Sequence, residues 1–79
     1  MARTVHSEAY RSLVARLAAA RAAAGMTQQA LADRLGRPQS FVAKIEGCER
    51  RIDLIEFLQI ARAVGADPMP MIEEAWAAI

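Results

Sequence analysis

Apolar residues recur along this chain at the spacing of amphipathic helices. In the first segment they follow one another at intervals of three and four residues, at Tyr10, Leu13, Val14 and Leu17. That spacing places them on one helix face. Ser7 is a suitable N-cap for this helix, and Gly25 ends it because glycine adopts the left-handed C-terminal conformation at little cost.

The next segment predicts two short helices joined by a tight turn. Thr27 caps a second helix of about two turns, which ends at Gly36. Proline fits the first turn of a helix, so a third helix is expected to begin near Pro38 and to end at Gly47. Its inward residues are Val42 and Ile45, three positions apart.

Two further helices complete the prediction. Asp53 and Glu56 have the spacing of a capping box at the start of a fourth helix. Its expected buried stripe comprises Leu54, Phe57, Leu58, Ala61 and Val64. Asp67 and Pro68 begin a last helix that runs to Ile79. Strand alternation is absent from the sequence, so the fold class is all-α, a compact five-helix bundle.

Length and composition narrow the possibilities. A chain of 79 residues forms one domain, and its core is only marginally sufficient, so dimerisation would supplement it. The single cysteine, Cys48, excludes an intrachain disulfide and a metal site made of several cysteines. The sequence also has only one histidine and no cluster of carboxylates, so we expect no metal site and no cofactor. The sequence offers no membrane span, and residues 1–8 lack the apolar centre of a secretory signal. A cytoplasmic location is expected.

Charge is distributed unevenly. Residues 1–51 contain nine Arg or Lys and four Asp or Glu, for a net +5, whereas residues 52–79 contain one and five, for a net −4. Such asymmetry is typical of a basic face that meets an anionic partner, although a solvated mixed surface is an equal alternative on charge alone.

The segment from Thr27 to Glu46 has the pattern of a helix-turn-helix formed by the second and third helices. Four residues remain outward on the third helix: Gln39, Ser40, Ala43 and Lys44. This face carries no acid and one base, which suits the major groove of double-stranded DNA, where Gln pairs with adenine and Lys with guanine.

The segment resembles the lambda repressor/Cro-like (XRE) helix-turn-helix family. The matching elements are Thr27-Gln28, Ala32, Leu35-Gly36, Gln39-Ser40 and Ile45-Glu46. The resemblance extends over residues 10–66. It implies a lambda-repressor-like DNA-binding domain at residues 7–66. Residues 1–6 show no helical pattern and are expected to form a flexible arm.

The resemblance also implies roles for individual residues. Gln39, Ser40 and Lys44 match base-reading positions, and Ala43 lies on the same face. Backbone phosphates are expected to meet four other side chains: Gln28, Arg37, Arg50 and Arg51. Phosphate contacts position the protein, whereas base contacts specify the sequence. Arg21 and Glu46 match a partly buried salt bridge with a structural role.

Two positions depart from the family pattern. The family usually has a variable residue and then glycine after the third helix, whereas this chain has Gly47 and then Cys48. The cap of the third helix either stays in place or shifts by one residue, and the geometry of the loop that carries Arg50 depends on which of these occurs. Phe41 replaces the usual Ser or Thr. It either touches a thymine methyl or packs between the third helix and the neighbouring loop, and we favour packing.

The last helix, residues 67–79, is expected to form a homodimer interface. Its large apolar residues exceed what a monomer core requires: Met69, Ile72, Trp76 and Ile79. Relatives often form two-fold dimers through this helix, which implies a pseudo-palindromic operator with half-sites about 10 bp apart. The alternative is that Trp76 closes the core of a monomer.

The predicted function is a transcriptional regulator, most simply a repressor. An enzyme is not expected, because the single histidine lies at the start of the chain and Cys48 has no fixed base nearby in sequence. The alternatives within DNA binding are an antitoxin with a cognate toxin as partner, a restriction–modification controller and an activator. The alternative outside it is a protein-interaction module that has lost DNA contact.

Overall fold

A computed structural model describes residues 7–79 of the chain. Within this range the backbone forms five helices and no strand: α1 (Glu8–Ala23), α2 (Gln28–Leu35), α3 (Gln39–Glu46), α4 (Leu54–Val64) and α5 (Pro68–Ala78). The all-α, five-helix prediction is confirmed, and α2 and α3 are the predicted pair. The flexible arm expected at residues 1–6 lies outside the described residues.

Side-chain caps begin four of these helices where the sequence predicted them. The capping residues each accept a hydrogen bond from a backbone N–H of the first turn: Ser7, Thr27, Asp53 and Asp67. Asp53 and Glu56 form the complete capping box. Helix α3 starts after Pro38, whose side chain makes no capping bond. Each polar cap contributes about 1 kcal/mol, so these ends are well defined.

The hydrophobic core lies where α2, α3 and α4 meet. Helix α1 adds Leu17 to this cluster and α5 adds Met71. Ala32 and Ala61 are fully buried, and their small side chains let neighbouring helix backbones approach closely. Outside the core, Arg34 of α2 donates a hydrogen bond to the backbone oxygen of Ala63 at 3.1 Å, which ties α2 to the end of α4.

The predicted buried stripe of α4 was partly wrong. Phe57, Ala61 and Val64 are buried, but Leu54 is 64% exposed and Leu58 is 36% exposed. The helix is rotated so that Ile60 enters the core in their place. The predicted and the observed buried faces of α4 are both apolar, so either rotation of the helix satisfies the helical period. The contact between α4 and α2 selects the observed rotation.

Helix α5 packs against α1. Met71 enters the core, Ile72 packs against it while half-buried, and Glu74 forms an ion pair with Arg16 of α1. Trp76 is 79% exposed, so it does not close the core of the single chain. Among residues 7–79, none of the helices has both the length and the apolar character needed to cross a bilayer.

Candidate nucleic-acid interface

The turn between α2 and α3 sets the angle between these two helices. Gly36 has φ 68° and ψ 33°, a left-handed conformation that glycine adopts without strain. The N–H of Arg37 then donates to the backbone oxygen of Ala32 at 2.9 Å, which closes the end of α2. Val42 and Ile45 are almost completely buried, as predicted, and they fix α3 against the core.

The opposite face of α3 is polar and open to solvent. Gln39, Ser40 and Lys44 are exposed, and Ala43 is half-buried between them. Glu46 is also half-buried, with its carboxylate turned towards Arg21 of α1. The accessible face therefore offers an amide, a hydroxyl and an ammonium group, which are the groups that read base edges in the major groove.

A chain of hydrogen bonds connects Gln39 to the interior. Nε2 of Gln39 donates to Oε1 of Gln28 at 2.8 Å, and Nε2 of Gln28 donates to Oε1 of Glu46 at 2.9 Å. Arg21 donates to both oxygens of Glu46, at 2.6 and 2.9 Å. The predicted salt bridge is confirmed. The Gln39 amide keeps one N–H and its oxygen free, which are the two groups needed for a bidentate pair with adenine.

The negative charge on Glu46 sets the direction of the hydrogen bonds between Glu46, Gln28 and Gln39. Burial alone would raise the pKa of Glu46, but hydrogen bonds from Arg21 and Gln28 outweigh it and hold the pKa below its usual value. The carboxylate is therefore ionised at neutral pH and attracts the N–H of Gln28. That contact leaves the oxygen of the Gln28 amide turned towards Gln39.

Two arginines flank α3 and contact one aromatic ring. The guanidinium carbons of Arg37 and Arg50 lie 4.4 and 4.8 Å from the centre of the Phe41 ring. Phe41 belongs to the core cluster and is buried. The packing interpretation of Phe41 is therefore confirmed, and its ring also supports both cations.

Glu56 is a second partner of these arginines. Its two oxygens accept hydrogen bonds from Arg50 at 2.9 and 3.1 Å, and Arg37 lies 3.6 Å away in a looser ion pair. The bonds from Arg50 lower the pKa of Glu56. The sequence identified Glu56 only as a helix cap, because nothing in its spacing pointed to arginines 19 and 6 positions earlier.

In the loop after α3 the left-handed residue is at position 48, where the family usually has glycine. Gly47 has φ −83°, and Cys48 takes the left-handed position with φ 57°. The N–H of Glu49 donates to the backbone oxygen of Lys44 at 2.8 Å. Tyr10 of α1 bridges the loop, since its hydroxyl accepts from the N–H of Ile52 at 2.9 Å and donates to the oxygen of Arg50 at 3.5 Å.

The predicted DNA-contacting residues thus lie on α3 and on the segments next to it. Gln28 begins α2, and Arg37 lies in the turn before α3. Arg50 and the exposed Arg51 lie in the loop that follows α3. Arg50 already has internal partners and remains partly accessible, with 39% of its side chain exposed. The DNA contacts of all eight residues stay predictions.

A separate apolar surface lies on α4 and α5. Met69, Trp76 and Ile79 are exposed, as a dimer interface requires, whereas Ile72 is half-buried. Sequence reasoning missed the contribution of α4, where three more large side chains are exposed: Leu54, Ile55 and Leu58. The available signal was that eight of the eleven residues of α4 are apolar, more than one buried face uses.

Part of this surface is concave. A groove of about 430 Å³ runs between the start of α1, the start of α4 and the outer side of α5. Leu54, Ile72 and Trp76 line it together with Ile79. Its lining is predominantly apolar, and a groove of this kind is typical of a site that receives another apolar side chain.

Comparison with known proteins agrees with this geometry. The model of the helix-turn-helix domain family matches residues 12–71. Among solved structures, an XRE-family like protein from Pseudomonas syringae pv. tomato str. DC3000 is 50% identical with a TM-score of 0.84, over 94% of this chain and 90% of that chain. The curated proteins include no match. Because the family model covers most of the chain, this protein belongs to the XRE-type helix-turn-helix family of DNA-binding regulators.

Proposed function

We propose that this protein is a sequence-specific repressor that inserts α3 into the major groove of double-stranded DNA. The observation that supports this most directly is the exposed amide of Gln39, held by Gln28 against a partly buried ion pair. An amide fixed in advance loses little conformational freedom on binding a base. Repression is the simplest role, because occupying a promoter requires DNA binding alone.

The proposed contacts divide into two classes. Gln39, Ser40 and Lys44 read base edges, while the small Ala43 allows α3 to approach the groove floor. Gln28, Arg37, Arg50 and Arg51 contact backbone phosphates and set the orientation of the domain.

Selection from random duplexes at a fixed salt concentration tests the proposal. The wild type should return a defined, pseudo-palindromic sequence. Replacing Gln39 with Ala should cost about 1–3 kcal/mol and relax the preference at one base position. Gln59→Ala is the control, because Gln59 is exposed on α4 and away from α3. Recovery of random sequence by the wild type would overturn sequence-specific binding.

Arg51 tests the phosphate contacts. Arg51→Ala should weaken binding to all sequences alike and lower the slope of log affinity against log salt by about one. Titrations of one duplex over a series of salt concentrations measure that slope. An unchanged slope would remove Arg51 from the interface.

We further propose a homodimer formed through the apolar surface of α4 and α5. Leu54, Ile55, Met69, Trp76 and Ile79 expose large apolar area that a second copy would cover. A two-fold dimer would present two recognition helices about 34 Å apart, one turn of DNA. Trp76 is the expected centre, since tryptophan is enriched at interface hot spots.

Sedimentation of the free protein tests this assembly. The wild type should sediment with twice the mass of one chain at tens of micromolar, and Trp76→Glu should sediment as a monomer. Trp76 is largely exposed, so the substitution should preserve the fold. Ala15→Glu adds the same charge at an exposed position of α1 that does not line the groove, and it should leave the dimer intact. A monomeric wild type, both free and bound to DNA, would contradict the homodimer.

A further inference from the structure

The contacts around Phe41 form a cluster that joins three parts of the chain. Phe41 lies on α3, Arg37 precedes that helix, Arg50 follows it, and Glu56 lies in the first turn of α4. Both guanidinium groups lie over the Phe41 ring, and both pair with the carboxylate of Glu56. Each cation therefore has one aromatic and one anionic partner.

The two supporting side chains are themselves fixed. Phe41 is part of the core, and Glu56 is buried and also accepts the N–H of Asp53 at 3.1 Å through the capping box. The arginine side chains, by contrast, are 45% and 39% exposed. The cluster consequently presents two partly open cations on a rigid base.

The charge of the cluster favours an anion. Two guanidinium groups face one carboxylate, which leaves a net positive charge beside the exposed polar face of α3. The guanidinium group has a planar set of donors that matches phosphate oxygens, and Arg50 uses only part of that set on Glu56.

We propose that Phe41 and Glu56 are positioning residues that hold Arg37 and Arg50 ready for phosphates of the DNA backbone. This inference rests on the proposed function and deepens it, because it names what organises the contacts. A side chain that is already held in place gives up less rotamer freedom when it binds, which corresponds to a difference in affinity of about threefold to tenfold.

A pair of charge-conserving substitutions tests the role of the ring. Arg37→Lys retains the charge but loses the planar group that stacks on Phe41. Arg51→Lys is the matched comparison, because Arg51 is also proposed to contact a phosphate, but among residues 7–79 its side chain makes no ring contact or salt bridge. Titration of the selected duplex should show a loss of affinity for Arg37→Lys that is about threefold to tenfold larger than the loss for Arg51→Lys. Both variants should keep the wild-type salt slope.

A mutant cycle tests whether Phe41 acts through Arg37. Phe41→Leu keeps an apolar side chain in the core and removes the aromatic face. Its loss of DNA affinity should be at least about twofold smaller in an Arg37→Ala background than in the wild type. Thermal unfolding of each variant establishes that the folded protein is being titrated. If Phe41→Leu does not fold, the lysine pair decides alone.

The outcomes separate this inference from the function on which it rests. If the wild type binds its selected duplex and the two lysine variants lose affinity equally, the positioning role is wrong and DNA binding stands. If Phe41→Leu reduces DNA affinity equally in the wild type and in the Arg37→Ala background, the positioning role is likewise wrong. If the wild type prefers no duplex at all, both the proposed function and the positioning role are overturned.

Discussion

Cys48 holds a backbone conformation that residues with a side chain rarely adopt. Its φ of 57° lies in the left-handed region, where the Cβ atom crowds the following carbonyl and costs about 1–2 kcal/mol. The preceding Gly47, which has no such cost, occupies φ −83°. The two residues thus stand in the order opposite to their conformational preferences, and the hydrogen bonds of the loop hold the strained one in place.

Replacing Cys48 with Gly should therefore stabilise the protein. Relief of the left-handed strain, reduced by the greater freedom of glycine in the unfolded chain, should raise the free energy of unfolding by about 0.5–1 kcal/mol. Thermal unfolding measures this as a rise in Tm of several degrees. Gly65→Ala is the control and makes the reverse change, because it introduces a side chain at a left-handed position. Gly65 has φ 73° and open space around it, so backbone strain alone should lower the Tm of this variant. A lower Tm for Cys48→Gly would refute the strain argument.

At the scale of the elements, one ion pair joins α1 to α3. Arg21 and Glu46 bond through two hydrogen bonds and are both largely buried, and Arg21 also donates to the backbone oxygen of Met26 at 2.7 Å. Removing one partner would leave the other charge buried without compensation. The pair also holds Gln28, whose amide donates a hydrogen bond to Glu46 at 2.9 Å.

Two ion pairs, Arg21–Glu46 and Arg50–Glu56, give the protein a definite response to acid. The pKa values of Glu46 and Glu56 are lowered in the folded protein, so the stability they add is complete above their unfolded pKa, 4.5, and is lost as the pH falls through the folded values. The Tm should therefore fall between about pH 5 and pH 3. Glu46→Gln should cost about 3 kcal/mol at neutral pH and reduce this dependence to the part that Glu56 contributes.

Thermal unfolding at a series of pH values measures both effects. Glu73→Gln is the control, because Glu73 is an exposed carboxylate on α5, and its removal should leave the acid response intact. If Glu46→Gln lost as much Tm on acidification as the wild type, Glu46 would not contribute to the response.

Helix α4 illustrates where a sequence pattern is ambiguous. Its capping box was predicted correctly, because an N-cap depends on residues three positions apart. Its buried face was partly wrong, because apolar residues occupy two stripes and each satisfies the helical period. The rotation places Leu54 and Ile55 outside, where they extend the apolar surface of α5.

At the scale of the whole molecule, the polar face of α3 and the apolar surface of α4 and α5 are distinct. The first carries Gln39 and Lys44, and the second carries Trp76 and Ile79. The proposed DNA-binding face and the proposed dimer surface therefore do not overlap, which a two-fold dimer on a palindromic site would require.

A rigid dimer should require fixed spacing between its half-sites. Inserting about 5 bp between them turns one half-site to the opposite side of the duplex, so affinity should fall to that of a single half-site. Fluorescence titration of the two duplexes measures this loss. Changing the bases of the spacer without changing its length is the control and should have a much smaller effect. Equal binding to both lengths would indicate independent monomers.

The sequence by itself determined the features that depend on neighbouring residues. Caps such as Thr27 and Asp53, the left-handed Gly36 and the outward positions of α3 follow from local spacing, so the five helices and the helix-turn-helix were predicted correctly. Only the tertiary structure decided which stripe of α4 is buried and which side chains Phe41 and Glu56 support. Those outcomes depend on contacts between residues far apart in the chain, where several arrangements satisfy the same local pattern and packing selects among them.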